Sequence, residues 1–321
     1  MTMTLNPHLT RDGRASKGVM DINPRFGRLV SEAKSEWASM VPPGSKAYQK
    51  KVDQILKLHH RCAHASPERL EHIIANSINT GCEPGDSRYM PVCNECLIGG
   101  YDTTRSHQKS PSTSMIELMR DYLPGEYLMF DVNELPVYSA HGNFRYMYTV
   151  VCAVSQYRFA YYTSDLTTAS YLEFCDYLRK EIQMRTGRSP KVFYKDDFST
   201  FNGQFEVAAA YERFSIQCKN TPAEMHHLNG VAENSIRILT RTCRINLANL
   251  VGIQVCGVKI RDPTVFWPLA MENARQVYNI TPNAVLHRMY GAPFAPIQRL
   301  TDAVSTAVDI SSFHRFGDLF H

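Results

Sequence analysis

The sequence predicts a mixed α/β fold in which helices flank one five-stranded sheet. Three runs rich in Tyr, Phe, Val and Met, residues 126–132, 144–154 and 157–163, have the composition of β-strands. Their connections are short enough for antiparallel pairing. Helical and strand-like segments alternate after them, an order typical of a mixed sheet covered by helices.

The alternating part begins with a helix at 166–184, which has apolar residues at helical spacing and is stopped by Gly187 and Pro190. A fourth strand follows at 191–194 and leads directly to Asp196 and Asp197. The remaining predicted elements are a helix at 205–214, a short strand at 215–218 and a long helix from 231 to about 250.

Changes in composition divide the chain into five parts. Residues 1–49 mix Pro, Gly, Ser and charged residues and form a leader, and residues 50–100 form a small helical domain with few apolar positions. So few apolar groups suggest that a bound metal ion stabilises that domain. Residues 101–115 are a polar linker, 116–290 form the large domain, and 291–321 begin a further segment.

Composition excludes several classes of protein. With 321 residues, of which 44% are hydrophobic, the chain can bury a sizeable core and is not wholly disordered. We find no apolar run long enough to span a membrane and no signal peptide, so we expect the nucleus or cytoplasm. Nine cysteines, several of them in apolar patterns, argue against a disulfide framework. A net charge of +4 permits nucleic-acid binding only through local clusters.

Three acidic residues occupy the ends of predicted elements. Asp131 ends the first strand of the large domain, Asp197 follows the fourth strand, and Glu233 opens the long helix. Carboxylates that converge in this way require cations between them, and Mg²⁺ suits hard oxygen ligands. A pair of such ions can activate one oxygen and stabilise another during phosphodiester displacement. From the pattern alone, Asp196 competes with Asp197 for the second position.

Histidines and cysteines at zinc-ligand spacing lie in the small domain. His59 or His60, together with His64, precedes a Cys-x-x-Cys pair, Cys93 and Cys96, with 28 residues, 65–92, between the two halves. Two imidazoles and two thiolates match a closed tetrahedral zinc site. If this assignment fails, the substitute ligands are Cys82 and, less plausibly, Cys62.

The long predicted helix also carries a basic face. Arg237, Arg241 and Arg244 lie 4, 8 and 11 residues after Glu233, and no acidic residue occurs between Asn234 and Arg261. Arginines so placed predict a phosphate-binding ridge beside the carboxylates, although a solvated helix face has the same pattern.

Several motifs resemble retroviral-type integrases, above all those of copia-type LTR retrotransposons. The segment from Thr221-Pro222 through His227-Leu228-Asn229-Gly230-Val231-Ala232-Glu233-Asn234 resembles their loop and helix start. The Cys-Asn-Glu-Cys-Leu-Ile-Gly run is similar to their N-terminal zinc domain. The similarity runs from about residue 58 to 286 and includes Leu128-Met129-Phe130-Asp131, residues 142–154, and Phe266-Trp267 to Thr281-Pro282.

The resemblance implies a ribonuclease-H-like catalytic core at 116–290, with Asp131, Asp197 and Glu233 holding two Mg²⁺ or Mn²⁺ ions. The family's 35-residue interval, here 198–232, favours Asp197, and its histidine spacing favours His59 as a ligand of one structural Zn²⁺. It also implies a multimeric enzyme that trims the ends of element DNA and joins them to double-stranded target DNA, with neither membrane nor small-molecule substrate.

Two departures from the family pattern keep an alternative open. Phe198-Ser199-Thr200-Phe201 separate Asp197 from Asn202-Gly203, and Asn234 follows Glu233 where the family has Arg. The alternative is an inactive relic or domesticated integrase that binds DNA or a partner.

Overall fold

The computed structural model describes residues 42–99, 121–195, 205–220, 230–251, 254–255, 258–304 and 306–317. Lys50–His321 forms one compact unit, and the unit before it, Met1–Gln49, is described only from residue 42. The predicted linker at 101–115 and most of the predicted leader lie outside the described residues.

The region before the linker is helical, as its pattern predicts. Helix α1 (Lys46–Arg61) is followed by α2 (Pro67–Asn76), where the Ser66 side chain caps the helix by accepting a hydrogen bond from the Arg69 amide. Strand β1 (Ser77–Ile78), a 3₁₀ turn and helix α3 (Asn94–Gly99) complete the region. The apolar faces of α1 and α2 contribute buried residues to this region, among them Ile55, Leu58, Leu70, Ile73 and Ile74.

The large sheet has five strands in the order β4-β3-β2-β5-β6. β2 pairs antiparallel with β3, and β3 with β4, whereas β2 pairs parallel with β5, and β5 with β6. The prediction of a mixed five-stranded sheet is therefore confirmed. The strands are β2 (Tyr127–Glu134), β3 (Tyr146–Cys152), β4 (Arg158–Thr163), β5 (Val192–Lys195) and β6 (Gln217–Asn220).

Helices cover both faces of this sheet. On one face, α4 (Thr168–Thr186) and α5 (Phe205–Arg213) pack on the side chains of β2 to β5, and Phe174 stacks on Tyr148 with ring centroids 4.3 Å apart. On the other face lie α6 (Gly230–Ala248) and, after the short strands β7 (Gln254–Val255) and β8 (Val258–Lys259), α7 (Trp267–Ile280). These three layers bury the apolar positions that the pattern predicts for the large domain.

The C-terminal part of the unit returns to the N-terminal helical region. After α8 (Ala284–Tyr290) and α9 (Pro296–Leu300), strand β9 (Val308–Asp309) pairs in parallel with β1. None of the helices in the described part of the chain combines the length and apolar character needed to cross a membrane.

Helices α3 and α6 approach each other unusually closely. A Cβ atom added to Gly99 would lie 2.7 Å from the backbone of Arg244 and Ile245, closer than real Cβ contacts allow. Only glycine therefore permits this distance between the two helices. The C-terminal half of α6 is in this way fixed against the region that carries the predicted zinc ligands.

Candidate metal centre and carboxylate site

Four side chains predicted to bind zinc lie together. One ligand atom from each of His59, His64, Cys93 and Cys96 falls within 4.8 Å of the others. His59 is in the last turn of α1, Cys93 directly precedes α3, and Cys96 lies within α3. The first three are buried and Cys96 is partly buried, so the cluster lies beneath the surface.

A turn in the left-handed region brings His64 back towards His59. The φ angles of Ala63 and His64 are 50° and 57°, and the His64 amide donates a hydrogen bond to the His59 carbonyl at 2.8 Å. Two consecutive residues with positive φ are uncommon without glycine. The backbone therefore adopts a strained conformation that places two imidazoles side by side. Such strain is typical of functional sites.

The distances within the cluster are equal to the edges of a tetrahedral zinc site or a few tenths of an ångström shorter. His64 Nδ1 lies 3.1 Å from His59 Nε2 and 3.5 Å from the sulfur atoms of both Cys93 and Cys96. His59 Nε2 lies 3.2 Å from Cys96 Sγ. Metal–nitrogen distances of about 2.0–2.1 Å and metal–sulfur distances of about 2.3 Å place neighbouring ligand atoms about 3.3–3.8 Å apart. These residues therefore fit a zinc ion.

The protonation chemistry also suits a metal. Burial lowers the pKa of His59 to about 4 and that of His64 to about 3, so both imidazoles are neutral near pH 7 and can act as ligands. His59 Nδ1 lies 2.9 Å from the Ala65 carbonyl, which accepts a hydrogen bond from Nδ1–H and leaves Nε2 to face the cluster. Burial raises the pKa of Cys96 to about 12, so a cation is needed to hold it as a thiolate.

His60 belongs to a different group. Its Nε2 lies 3.7 Å from Cys93 Sγ and 3.9 Å from a Glu95 oxygen, and these three residues form a second set of potential ligands. Among the described residues, the set of four contains His59 and excludes His60. Neither Cys62 nor Cys82 is in either set.

Two polar residues beside the cluster were not predicted from the sequence. Asn249, in the turn directly after α6, places its side-chain nitrogen 3.1 Å from His64 Nε2. Arg315 donates hydrogen bonds to Asn249 Oδ1 at 2.8 Å and to Glu95 Oε1 at 3.1 Å. Because Asn249 and His64 are 185 positions apart, no spacing pattern could have connected them.

Asp131 lies on the face of the sheet that α6 covers. Side chains alternate along a strand, so Asp131 shares its face with Tyr127 and Met129, and Leu128 and Phe130 face α4. The Asp131 carboxylate is half-buried and accepts a hydrogen bond from the following amide at 2.8 Å.

Glu233 is in the first turn of α6 and is exposed. The residue before it, Ala232, is fully buried against Tyr127 and Met129 of β2 and Val192 and Tyr194 of β5. The beginning of α6 is therefore anchored on the same face that carries Asp131, and the structure brings these two predicted ligands to one side of the sheet.

The third predicted carboxylate, Asp197, lies outside the described residues, as does its competitor Asp196. The strand that leads to them is described. Lys195, the last residue of β5, pairs with Phe130, the residue before Asp131. The last residue of β5 is therefore paired with the residue next to Asp131.

The three predicted phosphate-binding arginines differ in their surroundings. Arg241 and Arg244 are exposed, and Arg237 is half-buried and donates a hydrogen bond to Asn234 Oδ1 at 2.7 Å. Arg244 sits where α3 crosses α6, at the Gly99 contact. Arg241 lies near Cys96 and lowers the pKa of that thiol, against the larger effect of burial. Their role in DNA binding stays a prediction.

Comparisons with known proteins give a structural likeness but no sequence match. No protein-family model and no curated protein sequence matches the chain. Among solved structures, it is similar to a chain in the cryo-EM structure of the simian T-cell lymphotropic virus intasome in complex with PP2A regulatory subunit B56 gamma. The TM-score is 0.43 and the identity 12%, over 76% of this chain and 77% of that chain. Such a likeness does not identify a family.

Proposed function

We propose that this chain is an integrase of the copia retrotransposon type, with a ribonuclease-H-like catalytic core and a small zinc-binding domain before it. The observation that carries the proposal is the placement of Asp131 and the first turn of α6, with Glu233, on one face of the mixed sheet. The zinc-like geometry of the four histidine and cysteine ligands supports the same proposal.

In the proposed reaction, Asp131, Asp197 and Glu233 hold two Mg²⁺ ions. When bound, such ions would activate the attacking oxygen and stabilise the leaving oxygen. First, water attacks a phosphodiester near the 3′ end of the element DNA, breaks its P–O bond and leaves a free 3′-hydroxyl. This hydroxyl then attacks a phosphorus of target DNA. One P–O bond forms and another breaks, and the target's 3′-oxygen leaves as a hydroxyl.

The chain's own residues have separate parts in this proposal. The carboxylates of Asp131 and Glu233 supply negative charge on the side of the sheet where α6 begins. Arg237, Arg241 and Arg244, on the same helix, hold DNA phosphates through contacts that do not depend on base sequence. A multimer joins two element ends to one target.

Joining assays with purified full-length protein test the proposal. The protein is incubated with Mn²⁺ or Mg²⁺, a labelled element-end oligonucleotide and target DNA. We expect strand transfer that Asp131→Asn abolishes. The matched control is Glu134→Gln, because Glu134 is on the same strand, is exposed, and by alternation faces the other side. This control should retain the activity.

The other outcomes identify competing functions. Hydrolysis of DNA or RNA without joining, again lost in Asp131→Asn, would indicate a nuclease on the same core. Absence of any reaction under all metal conditions, with DNA binding retained, would support the inactive relic. The four-residue insertion 198–201 after Asp197 is the sequence feature that favours the inactive relic.

A further inference from the structure

Asn249 contacts the side of His64 that faces away from the other ligands. His64 Nδ1 lies 3.1–3.5 Å from His59 Nε2 and both cysteine sulfurs, so Nδ1 is the atom placed to bind the metal. A neutral imidazole carries one proton, which must then be on Nε2. The Nε2–H group needs an acceptor, and Asn249 is the side chain 3.1 Å away.

We propose that Asn249 is a positioning residue of the zinc centre, which fixes the His64 tautomer through its side-chain oxygen and links zinc binding to the end of α6. This inference rests on the zinc centre of the proposed function and not on DNA joining. Metal-bound histidines usually donate their second N–H to such an outer partner, which orients the ring and strengthens binding.

The present hydrogen bonds of Asn249 define what changes when zinc binds. Its nitrogen faces His64, and its oxygen accepts from Arg315 at 2.8 Å. An N–H group facing an NH₂ group gains nothing, so the amide must turn by about 180° to offer its oxygen to His64. The two ends of an amide have almost the same size, so the turn needs no extra space. Arg315 then keeps its bond to Glu95.

The hydrogen bonds of Asn249 therefore differ between the zinc-free and the zinc-bound protein. Asn249 is 7% exposed and lies in the turn that ends α6, directly beyond the segment packed on Gly99. Zinc binding therefore alters the side-chain hydrogen bonds of the residue directly after α6, the helix whose first turn carries Glu233. We expect zinc to protect the backbone amides of residues 245–250 as well as those of the small domain.

Three substitutions distinguish hydrogen bonding from packing. Asn249→Leu keeps the volume but removes the acceptor, so we expect zinc affinity to fall by about 10- to 100-fold. Asn249→Asp offers two acceptor oxygens, one for His64 and one for Arg315, so its zinc affinity should equal or exceed that of the unchanged protein. Asn246→Leu is the matched control. Asn246 is buried one turn earlier in α6, and its side chain donates to the Ala270 carbonyl and the Asn273 side chain.

The measurements are zinc affinity, by competition with a chromophoric chelator, and hydrogen exchange at residues 245–250 with and without zinc, both on the full chain. The inference predicts the affinity order Asp ≥ Asn > Leu at position 249 and unchanged affinity for Asn246→Leu. Equal affinities for Asn249→Leu and the unchanged protein would overturn it while leaving the zinc centre intact. A chain that binds no zinc at all would overturn the inference together with the zinc centre. Failure of strand transfer alone would affect the proposed function and not this inference.

Discussion

The two ends of helix α6 are held in different ways. At its beginning, Ala232 packs on apolar and aromatic side chains of β2 and β5, beside the exposed Glu233. At its end, α6 meets α3 backbone to backbone at Gly99, and Asn249 contacts His64. Both ends bury apolar side chains, Ala232 at the first and Leu247 at the second, and the second end also contacts the cluster of potential metal ligands. Changes at the two ends should therefore alter different properties.

The largest expected effect is loss of stability from removal of a proposed zinc ligand. Cys96→Ser should abolish stoichiometric zinc binding and destabilise the region 50–99 by on the order of 5 kcal/mol or more, because structural zinc contributes directly to folding. Zinc analysis and thermal unfolding measure this. The control is Cys82→Ser, since Cys82 is outside both potential ligand sets. Zinc retained in Cys96→Ser, or lost in the control, would contradict the assignment.

The opposite end should respond in activity alone. Glu233→Gln is expected to reduce strand transfer by about 1,000-fold, equivalent to about 4 kcal/mol of activation free energy, because one carboxylate of the proposed Mg²⁺ site is lost. Its melting temperature and zinc content should not change, since Glu233 is exposed. Glu212→Gln, an exposed glutamate on α5, serves as the control. A large fall in zinc content in Glu233→Gln would show that the two ends are not separate.

A smaller effect is expected from a methyl group between α3 and α6. Gly99→Ala places Cβ 2.7 Å from the backbone of two adjacent residues of α6, Arg244 and Ile245, and we expect a loss of about 1–3 kcal/mol in unfolding free energy. Gly230→Ala, at the other end of the same helix, has nothing within 4 Å of the new Cβ and should be nearly neutral. Urea unfolding of both variants gives the comparison. Equal stabilities would mean that the two helices can separate without cost.

The smallest effect concerns phosphate contacts. Arg241→Ala should weaken DNA binding equally for all sequences and reduce the slope of log affinity against log salt by about 1. Arg213→Ala, which removes an exposed arginine from α5, should leave the slope unchanged. Fluorescence anisotropy at several salt concentrations measures both. An unchanged slope in Arg241→Ala would favour a solvated helix face.

Local patterns predicted much of the fold because they reflect local physics. The strand predicted at 126–132 is observed at Tyr127–Glu134, and the helix predicted at 166–184 at Thr168–Thr186. The ligand cluster also follows from short spacings, since His59 and His64 are close in sequence and Cys93 and Cys96 share one short segment.

Contacts between distant segments were not predictable in this way. Asn249 and Arg315 reach the ligand cluster from residues far along the chain, and nothing in the pattern near either residue indicates this. In the sequence, Gly99 belongs to the run that contains both cysteines, whereas its structural role is to allow the close approach of two helices. The meeting of Asp131 and α6 on one face depends on sheet order, which required the structure.

The pairing of β1 with β9 has a consequence for synthesis of the protein. Ser77 pairs with Val308, and Arg61 donates hydrogen bonds to the carbonyls of Ile310 and Phe313. A ribosome adds about 5–20 residues per second, so the early helices wait on the order of ten seconds or longer for this partner strand. During that interval the backbone of β1 and the Arg61 side chain lack the partners that they have in the complete fold.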